Sequence, residues 1–423
     1  MKPRKLSVQL LTILCLAALF FGQASQVWAT QHFLFEDEIF MVAGKATPTV
    51  VKEQAGKQEK SAKQEKPTTL ETTAESAILM EPSTGTIIFE KNAHKSLPPA
   101  SVTKIMTLLI AAEAIEQGKA SLKDRVKGTD ESSGMGGSQI YLEVGEEFSL
   151  EELIISVAVG SANDASVAVA EYIGGSHDHF VAMMNAKAKA LGLKDTKFIN
   201  AYGLPAEGHV TSAYDMAFIL REAMKYPLFR RMTSIKEYGL RGGEFKLYNT
   251  NKLLWWYKGV DTGKTGWTTE AKYCLASSAE REGLRLIAVV MGSPEPRSHF
   301  RESIRLYNYG YARYRGVTVA EAGSQIKVLP VEKGILNQFP VVAQGRIGLM
   351  VPKGQEKEIS HRLILPPSIE APVVKGQKVG EVILIQKGKD IAKFALVSGI
   401  DVPKASFWQQ FGRVISEVYS SNK

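Results

Sequence analysis

Three short groups of residues in this chain could carry nucleophilic chemistry. Ser101 and Lys104 stand three residues apart in Pro98-Pro99-Ala100-Ser101-Val102-Thr103-Lys104, where apolar residues begin to recur at helical spacing. Because residues i and i+3 share a helix face, the amine can lie beside the hydroxyl. A serine nucleophile needs a base within hydrogen-bond reach and donors for the oxyanion. A buried lysine near other cations can lose its proton and act as that base, although an isolated Ser-x-x-Lys also occurs at exposed helix starts.

Two further groups of residues strengthen the catalytic interpretation of Ser101 and Lys104. Ser161-Ala162-Asn163 lies in a break between two helical patterns, and Lys264-Thr265-Gly266-Trp267 precedes an apolar strand. Each is common alone. In the order Ser-x-x-Lys, Ser-x-Asn, Lys-Thr-Gly, within one domain of about 250 residues, they form the motif set of penicillin-binding proteins and class A β-lactamases.

Elements that could position these groups can be read from local patterns. Ser76–Met80 and Thr86–Glu90 predict a hairpin around Pro82 and Gly85. Ser149-Leu150-Glu151-Glu152 is a capping box that opens a helix. Other predicted elements are a helix from Asp164 to Ile173, an antiparallel strand pair over Tyr273–Leu275 and Arg285–Met291, and a helix through Ile304, Leu306, Tyr307 and Tyr311.

The residue pattern changes after this last helix. Short alternating stretches separated by Pro and Gly, over Ile326–Pro330, Arg346–Val351, His361–Leu365, Gln377–Gln386 and Lys393–Val397, are typical of a small all-β sandwich or barrel. We therefore expect an α+β, multi-domain chain. The predicted catalytic domain spans 73–318, a β-rich domain spans 319–400, and an amphipathic helix spans 401–423.

The first residues are typical of an export signal. Lys2, Arg4 and Lys5 precede an apolar run, and Val27 and Ala29 suit cleavage after Ala29, so 1–29 is predicted to be a signal peptide. An uncleaved membrane anchor is the alternative. Residues 30–72 contain a doubled Lys-Gln-Glu-Lys and few large apolar side chains, which predicts a flexible linker.

The cysteine content indicates the cellular compartment, and the net charge bears on the class of partner. Removal of the leader leaves Cys274 as the one cysteine, so export without disulfides indicates a bacterial envelope protein in the periplasm or on the outer face of the cytoplasmic membrane. The net charge of +8 falls to +5 without the three positive leader residues. That charge is spread over the whole chain, so it does not indicate the clustered basic surface of a nucleic-acid-binding protein.

The C-terminal residues predict peripheral anchoring to a membrane surface. The apolar side chains fall on one helical face, with Trp and Tyr suited to headgroup depth. A terminal helix packed on its own domain is the alternative. The members of the apolar face are Phe407, Trp408, Phe411, Val414, Ile415, Val418 and Tyr419.

No cofactor or metal is expected. His177 and His179, in Ser176-His177-Asp178-His179, could be considered as metal ligands, but an N-cap by Ser176 is the favoured interpretation, and no zinc motif supports a metal. The glycine-rich loop 134–137 lacks the helix and lysine of a phosphate loop.

With these motifs, the chain resembles the D-alanyl-D-alanine carboxypeptidases among the low-molecular-mass penicillin-binding proteins. Beyond the three groups, the matching stretches are Asn200–Pro205, Ala213–Ala217 and Val260–Thr268. The resemblance runs from about Ser76 to the C-terminus and includes the β-rich domain and the amphipathic tail. It implies hydrolysis of the terminal D-Ala-D-Ala bond of peptidoglycan stem peptides and covalent inhibition by β-lactam antibiotics.

The resemblance also implies roles for the site residues. Ser101 is the expected nucleophile, Lys104 its base, and Ser161 the proton relay to the leaving amine. Asn163 is expected to bind the substrate amide and to steady Lys104. On the third motif, Lys264 supplies positive potential, Thr265 binds the terminal carboxylate, and the backbone N–H groups of Ser101 and of Trp267, which follows Gly266, form the oxyanion hole.

Two positions depart from the family pattern. Many members have histidine where this chain has Trp267. At the position of an arginine that helps to hold the substrate carboxylate, an ungapped count gives His299, flanked by Arg297 and Arg301. Either arginine could substitute, or Thr265 and Lys264 could suffice.

Three other functions can be compared with the motif set of this chain. A DD-endopeptidase acting on peptide cross-links has the same motifs and stays open. A class A β-lactamase needs a Glu-x-x-Leu-x-Asn loop, a pattern that the glutamates between Asn163 and Lys264 do not form. A non-catalytic wall-binding protein predicts a damaged motif set, whereas all three motifs are intact.

Overall fold

Helices and mainly antiparallel sheets make up the described part of the chain, which confirms the α+β class. The computed structural model describes residues 70–356 and 359–411. The strands of the first domain are β1 (Ser76–Glu81), β2 (Thr86–Lys91), β3 (Arg125–Lys127), β4 (Glu147–Ser149), β5 (Glu237–Leu240), β6 (Phe245–Tyr248), β7 (Val260–Thr268), β8 (Lys272–Arg281) and β9 (Leu284–Ser293).

The helices of the first domain lie between and after these strands. They are α1 (Lys104–Glu116), α2 (Asp130–Ser133), α3 (Leu150–Ile155), α4 (Asn163–Gly174), α5 (His177–Ala190), α6 (Ala213–Ala223), α7 (Pro227–Thr233), α8 (Leu253–Trp256) and α9 (Ser298–Arg313). The capping box predicted at Ser149 is present, with Ser149 accepting from the Glu152 N–H and Glu152 accepting from the Ser149 N–H. The N-cap interpretation of Ser176 is also confirmed, because its side chain accepts from the His179 N–H.

One five-stranded antiparallel sheet organises the first domain. Its order is β2-β1-β9-β8-β7, so the predicted hairpin β1–β2 forms one end and β7 forms the other edge. The predicted strand pair around Arg281–Gly283 is present as β8 and β9, which are longer than expected. An edge strand leaves alternate backbone groups free of sheet pairing. The Lys-Thr-Gly motif lies on that edge.

Both faces of the sheet are covered, because its central strands are apolar on both sides. All six residues of β1 are buried. Ile78 and Met80 join one core with the helical part of the domain, including α1. Leu79 joins a second core with Leu306 and Tyr307 of α9. Successive side chains of a strand point to opposite faces, so one strand supports both layers.

The second domain is all-β. Its strands are β10 (Tyr314–Ala320), β11 (Gln325–Glu332), β12 (Gln338–Ala343), β13 (Ile347–Pro352), β14 (Ile359–Ile364), β15 (Ile369–Glu370), β16 (Lys378–Gln386) and β17 (Lys389–Ser398). A six-stranded sheet of order β14-β16-β17-β12-β11-β15 and the pair β10–β13 share one apolar core, as a sandwich requires. Alternating burial along β11, β12 and β13 explains their strand structure.

Three strands of this domain are not predicted by the sequence patterns: β10, β12 and β15. β10 also straddles the boundary predicted between residues 318 and 319. β10 pairs with β13 and follows directly on α9. Between the domains, Arg346 donates to Glu280 at 2.5 Å and to the Gly283 carbonyl.

The predictions for the two ends fall largely outside the described residues. This holds for the leader 1–29, for the linker up to residue 69, and for 412–423 of the terminal helix. Residues 407–411 are helical, and Phe407 and Trp408 are 72% and 76% exposed. Within 70–356 and 359–411, no helix is both long and apolar enough to cross a bilayer.

Candidate active site

Ser101 lies in a single 3₁₀ turn, Ala100–Thr103, which leads directly into α1 at Lys104. Two glycines allow neighbouring backbone to approach this turn. A Cβ on Gly203 would lie 2.0 Å from the Ala100 carbonyl oxygen, and one on Gly266 would lie 2.8 Å from the Ser101 nitrogen. Only glycine fits at such approaches. This turn is called the nucleophile turn below, after the role expected of Ser101, and it is held between the loop around Gly203 and the edge strand β7.

A buried histidine supports the same turn. The ring of His209 is buried; its Nδ1 accepts from the Ile199 N–H, so its Nε2 carries the proton and donates to Thr103 Oγ1 at 2.9 Å. Burial lowers the pKa of His209 to about 4. The ring is therefore neutral at pH 7. Sequence reasoning missed His209, because a lone histidine outside a motif gives no signal.

The Lys104 amine is fully buried and has three polar neighbours. Its Nζ lies 3.0 Å from Ser101 Oγ, 2.7 Å from Asn163 Oδ1 and 2.5 Å from the Tyr202 carbonyl oxygen. The i, i+3 spacing thus brings amine and hydroxyl together, as the sequence predicts. The Tyr202 contact was not predicted, since a backbone carbonyl carries no residue-type signal.

The surroundings of Lys104 favour its neutral form. Burial, reinforced by repulsion from Lys264 and opposed by Asp164, lowers the pKa of Lys104 well below its usual value. A neutral amine has two protons and one lone pair. The carbonyl oxygens of Asn163 and Tyr202 can take the two protons, because they only accept. The lone pair is then left for the Ser101 hydroxyl proton, which is the arrangement that general-base activation needs.

Ser161 lies in a distorted break between α3 and α4, and Asn163 is the first residue of α4. Residues Ser156–Gly160 form a π-helical turn, and Ser161 has a left-handed backbone with φ of 63°. Such distortions concentrate at functional sites. The Asn163 N–H donates to the Ser138 carbonyl at 2.7 Å, which fixes the start of α4.

The glycine-rich loop 134–137 orients Asn163. Asn163 Nδ2 donates to the Gly136 carbonyl at 2.6 Å, so its Oδ1 faces Lys104. Gly137 has φ of 80°, and a Cβ there would lie 2.8 Å from Asn163 Nδ2. The neighbouring Asp164 is buried and accepts from the Ile140 N–H, which holds the following loop against α4. Sequence reasoning gave this loop no catalytic role.

The Lys-Thr-Gly motif faces the nucleophile turn from β7. Lys264 and Gly266 are buried on one side of the strand, whereas Thr265 is partly exposed. Burial lowers the pKa of Lys264 to about 7. Its Nζ lies 3.1 Å from the Thr265 carbonyl oxygen and 3.4 Å from Thr250 Oγ1. This second amine also weakens the proton affinity of Lys104.

The sequence of this chain matches two known protein families. A family described as D-alanyl-D-alanine carboxypeptidase matches residues 59–295, more than half of the chain. A second family, described as penicillin-binding protein 5, C-terminal domain, matches residues 314–404. The D-alanyl-D-alanine carboxypeptidase DacF of Bacillus subtilis is 39% identical over 338 residues, which is 79% of this chain and 87% of that protein.

The chain belongs to the D-alanyl-D-alanine carboxypeptidase family.

Solved structures agree with this membership of the carboxypeptidase family. Penicillin-binding protein 5 from Haemophilus influenzae, at 34% identity, superposes with a TM-score of 0.62 over 80% of this chain and 99% of that one. Penicillin-binding protein D2 from Listeria monocytogenes, solved in its ampicillin-bound form, gives 28% identity and a TM-score of 0.53. That match covers 57% of this chain and 99% of the Listeria chain.

Trp267 is the first departure from the carboxypeptidase family pattern. Its side chain is 58% exposed and leans on Tyr273 of β8, with ring centroids 6.0 Å apart. The backbone at this position stays beside the nucleophile turn, because Gly266 lies against the Ser101 nitrogen. The change from histidine therefore alters the rim of the site and leaves the path of the strand in place.

His299 is the second departure. Its ring is buried and stacked on Tyr273 at 5.4 Å, and burial lowers its pKa to about 4. It is therefore neutral at pH 7 and cannot supply the missing positive charge. Of the flanking cations, Arg301 pairs with Glu295 at 2.9 Å. Arg297 is exposed, and the described part of the chain offers it no ion pair.

Proposed function

We propose that this chain is a serine-type D-alanyl-D-alanine carboxypeptidase that works through an acyl-enzyme on Ser101. Its substrate class is the peptidoglycan stem peptide ending in D-Ala-D-Ala. One observation carries the assignment of the nucleophile and the base: the buried Lys104 amine lies 3.0 Å from Ser101 Oγ while two carbonyl oxygens occupy its protons.

Acylation follows from this arrangement. Ser101 Oγ attacks the carbonyl carbon between the two D-alanines, and its proton passes to the lone pair of Lys104. The charge that develops on the carbonyl oxygen is met by the backbone N–H groups of Ser101 and Trp267. Because burial and the nearby Lys264 lower the pKa of Lys104, the ammonium that forms gives its proton up more readily than an exposed lysine does.

The proton then leaves with the product. The C–N bond breaks, and the amine of the terminal D-alanine takes the proton from Lys104 through the Ser161 hydroxyl. Thr265 and Lys264 hold the carboxylate of this leaving residue, and Arg297 is the flanking arginine that has no ion pair within the described residues. Water next attacks the ester carbonyl carbon and gives a proton to Lys104. The bond from this carbon to Ser101 Oγ then breaks, Oγ takes the proton back from Lys104, and the shortened peptide leaves with Ser101 and the neutral amine restored.

β-Lactams are proposed as covalent inhibitors of the same serine. Their strained amide occupies the place of the D-Ala-D-Ala bond, and its opening acylates Ser101. A related protein of the same fold has been solved with ampicillin bound.

We further propose that the chain is exported through the leader 1–29 and held peripherally at the outer face of the cytoplasmic membrane by 401–423. The leader pattern supports export. The exposure of Phe407 and Trp408 at the start of the terminal helix supports the membrane surface as its partner, because exposed aromatic side chains suit the interface.

The test is release of free D-alanine from a peptide ending in D-Ala-D-Ala by the full chain in detergent. The parent is expected to release D-alanine and Ser101→Ala to release none, while Ser83→Ala, a change on an exposed turn, behaves as the parent. If the parent releases nothing but penicillin still labels Ser101, the carboxypeptidase assignment is wrong and cross-linked peptides become the substrate to test.

A further inference from the structure

Tyr273 contacts both of the side chains that depart from the carboxypeptidase family pattern. Its ring stacks on His299, with centroids 5.4 Å apart and an angle of 10° between the planes, and lies 6.0 Å from the ring of Trp267. Trp267 and Tyr273 are also directly opposite each other in β7 and β8. We call these three residues the aromatic stack. No step of the mechanism above uses their side chains.

The aromatic stack lies behind the catalytic face of β7. Side chains alternate along a strand, and a Cβ on Gly266 would face the Ser101 nitrogen at 2.8 Å. The next side chain, the Trp267 indole, therefore points away from the nucleophile turn. It leads through Tyr273 to α9, because His299 is the second residue of that helix. The stack thus connects the backbone beside Ser101 with a helix on the other face of the sheet.

The end of β7 has limited support from the sheet itself. β7 is an edge strand, so among the described strands it pairs only with β8. The pairing of β8 with β9 shifts register between Tyr273 and Leu275, and such a bulge disrupts the ladder locally. Backbone pairing is therefore weaker at the level of Trp267, and the rings supply a second attachment for this part of the hairpin.

His299 is suited to packing at the base of the aromatic stack. Its ring is buried, and its Nδ1 has no hydrogen-bond partner among the described residues. The ring is neutral at pH 7, so it adds no buried charge. The ring of Phe300 lies 4.0 Å from that of His299, and the ring of Trp256 in α8 lies 5.2 Å from that of Phe300. Contacts between rings therefore fix the base of the stack.

We propose that Tyr273 and His299 are positioning residues for the oxyanion hole, in which their stacked rings hold the Trp267 indole and thereby fix the backbone N–H of Trp267. The inference rests on the proposed carboxypeptidase function and assigns to the aromatic stack the alignment of one of its two oxyanion donors. Such a donor acts only where it meets the developing charge. A small displacement therefore lowers kcat without weakening the binding of the substrate.

The variant Tyr273→Leu, in the full chain in detergent, tests the central ring. We expect kcat for D-alanine release and the rate of acylation by penicillin each to fall by roughly ten- to hundredfold, which is less than the loss of a whole donor. KM should stay within about twofold of the parent's value, because Thr265 and Lys264 still hold the terminal carboxylate. Tyr273→Phe keeps the ring and should restore kcat to within about twofold of the parent's value.

Tyr309→Leu is the matched control. Tyr309 is also half-buried and forms a ring pair between α9 and the sheet, 6.4 Å from Phe89, but Phe89 lies in β2, the strand farthest from β7. Urea unfolding measures the loss of stability in both variants, and only Tyr273→Leu should lose kcat. An equal loss of kcat in Tyr309→Leu, a parental kcat in Tyr273→Leu, or a loss confined to KM overturns the proposal.

Two further variants test the ends of the aromatic stack. If Tyr273 acts through the indole, Trp267→Leu should lose a similar factor in kcat, and the double variant Trp267→Leu/Tyr273→Leu should lose little more than either single change. Losses that multiply overturn the proposal. His299→Leu should lower kcat by about three- to tenfold, with rescue by His299→Phe, and it tests the stack even where Tyr273→Leu does not fold.

A parental kcat in His299→Leu would show that this ring does not position the donor, and the proposal would then be wrong. A parent chain that releases no D-alanine would instead overturn the proposed function. Acylation by penicillin would in that case still compare the parent with Tyr273→Leu at the same oxyanion hole.

Discussion

The catalytic cleft and the core of the second domain are filled with opposite kinds of side chain. Around Ser101 the fold buries two lysines, Lys104 and Lys264, together with Asn163, Asp164 and His209. In the second domain, among the described residues from Tyr314 onward, Ser398 is the one polar or charged side chain buried to a similar degree. Side chains are buried in both regions, so the difference lies in the polarity of the groups that are removed from water.

The two regions therefore contribute differently to the free energy of unfolding. A buried polar group is tolerated only when it is hydrogen-bonded, and a buried amine is tolerated more easily when it is neutral. The cleft meets this condition through backbone carbonyls, loops and lowered pKa values. The second domain gains from apolar burial alone, without such compensation. We therefore expect changes in the cleft to alter catalysis more than stability, and changes in the second core to do the reverse.

The largest expected effect comes from Lys104→Met. Removal of the base should lower kcat for D-alanine release by about 10²- to 10⁴-fold. The free energy of unfolding should change by less than about 2 kcal/mol, because the loss of three hydrogen bonds is offset by the removal of a buried amine. Steady-state kinetics and urea unfolding measure the two quantities. The exposed Lys123→Met is the control, and a large loss of stability in Lys104→Met would break the comparison.

The converse change is Phe339→Ala in the second domain. Phe339 is 1% exposed, and truncation of such a side chain destabilises by about 3–5 kcal/mol. At 25 °C, while the chain is still folded, kcat should match the parent. The control is Val328→Ala on the exposed side of β11, with an expected change within about 0.5 kcal/mol. A fall in kcat without unfolding would show that this core acts on the site.

A smaller effect should appear in the pH dependence of stability. The pKa of Lys264 is about 7 in the folded chain and, by its usual value, about 10.4 when unfolded. Between these values the unfolded chain binds more protons, so stability rises with pH, by up to about 1.4 kcal/mol per unit from this one group. Urea unfolding at pH 7, 8 and 9 should show a shallower rise for Lys264→Met.

Lys378→Met in the second domain is the matched control for the pH experiment. Lys378 is an exposed lysine that pairs with Glu381, so its removal should leave the parent's pH slope intact. An unchanged slope in Lys264→Met would mean that the buried lysine is charged at all three pH values, and the cleft would then differ from the second core less than we infer.

Local patterns were sufficient to predict the class of fold and the elements that contain the motifs. The hairpin β1–β2, the capping box at Ser149 and the strand pair β8–β9 depend on residues close in the chain, which is where sequence patterns are informative. β10, β12 and β15 are not predicted by these patterns, because short or half-buried strands between turns give a weaker signal than a helix with a cap.

Residue types and spacing were enough to predict which side chains are available for chemistry, because Ser101 and Lys104 lie within one helical turn. The neutral state of Lys104 depends instead on tertiary contacts, which also fix its amine beside the Ser101 hydroxyl. That outcome needs the Tyr202 carbonyl from 98 residues away, Asn163 turned by the glycine-rich loop, and Lys264 from the sheet edge. The pKa of an amine depends on everything packed around it, and no pattern along the chain specifies those neighbours.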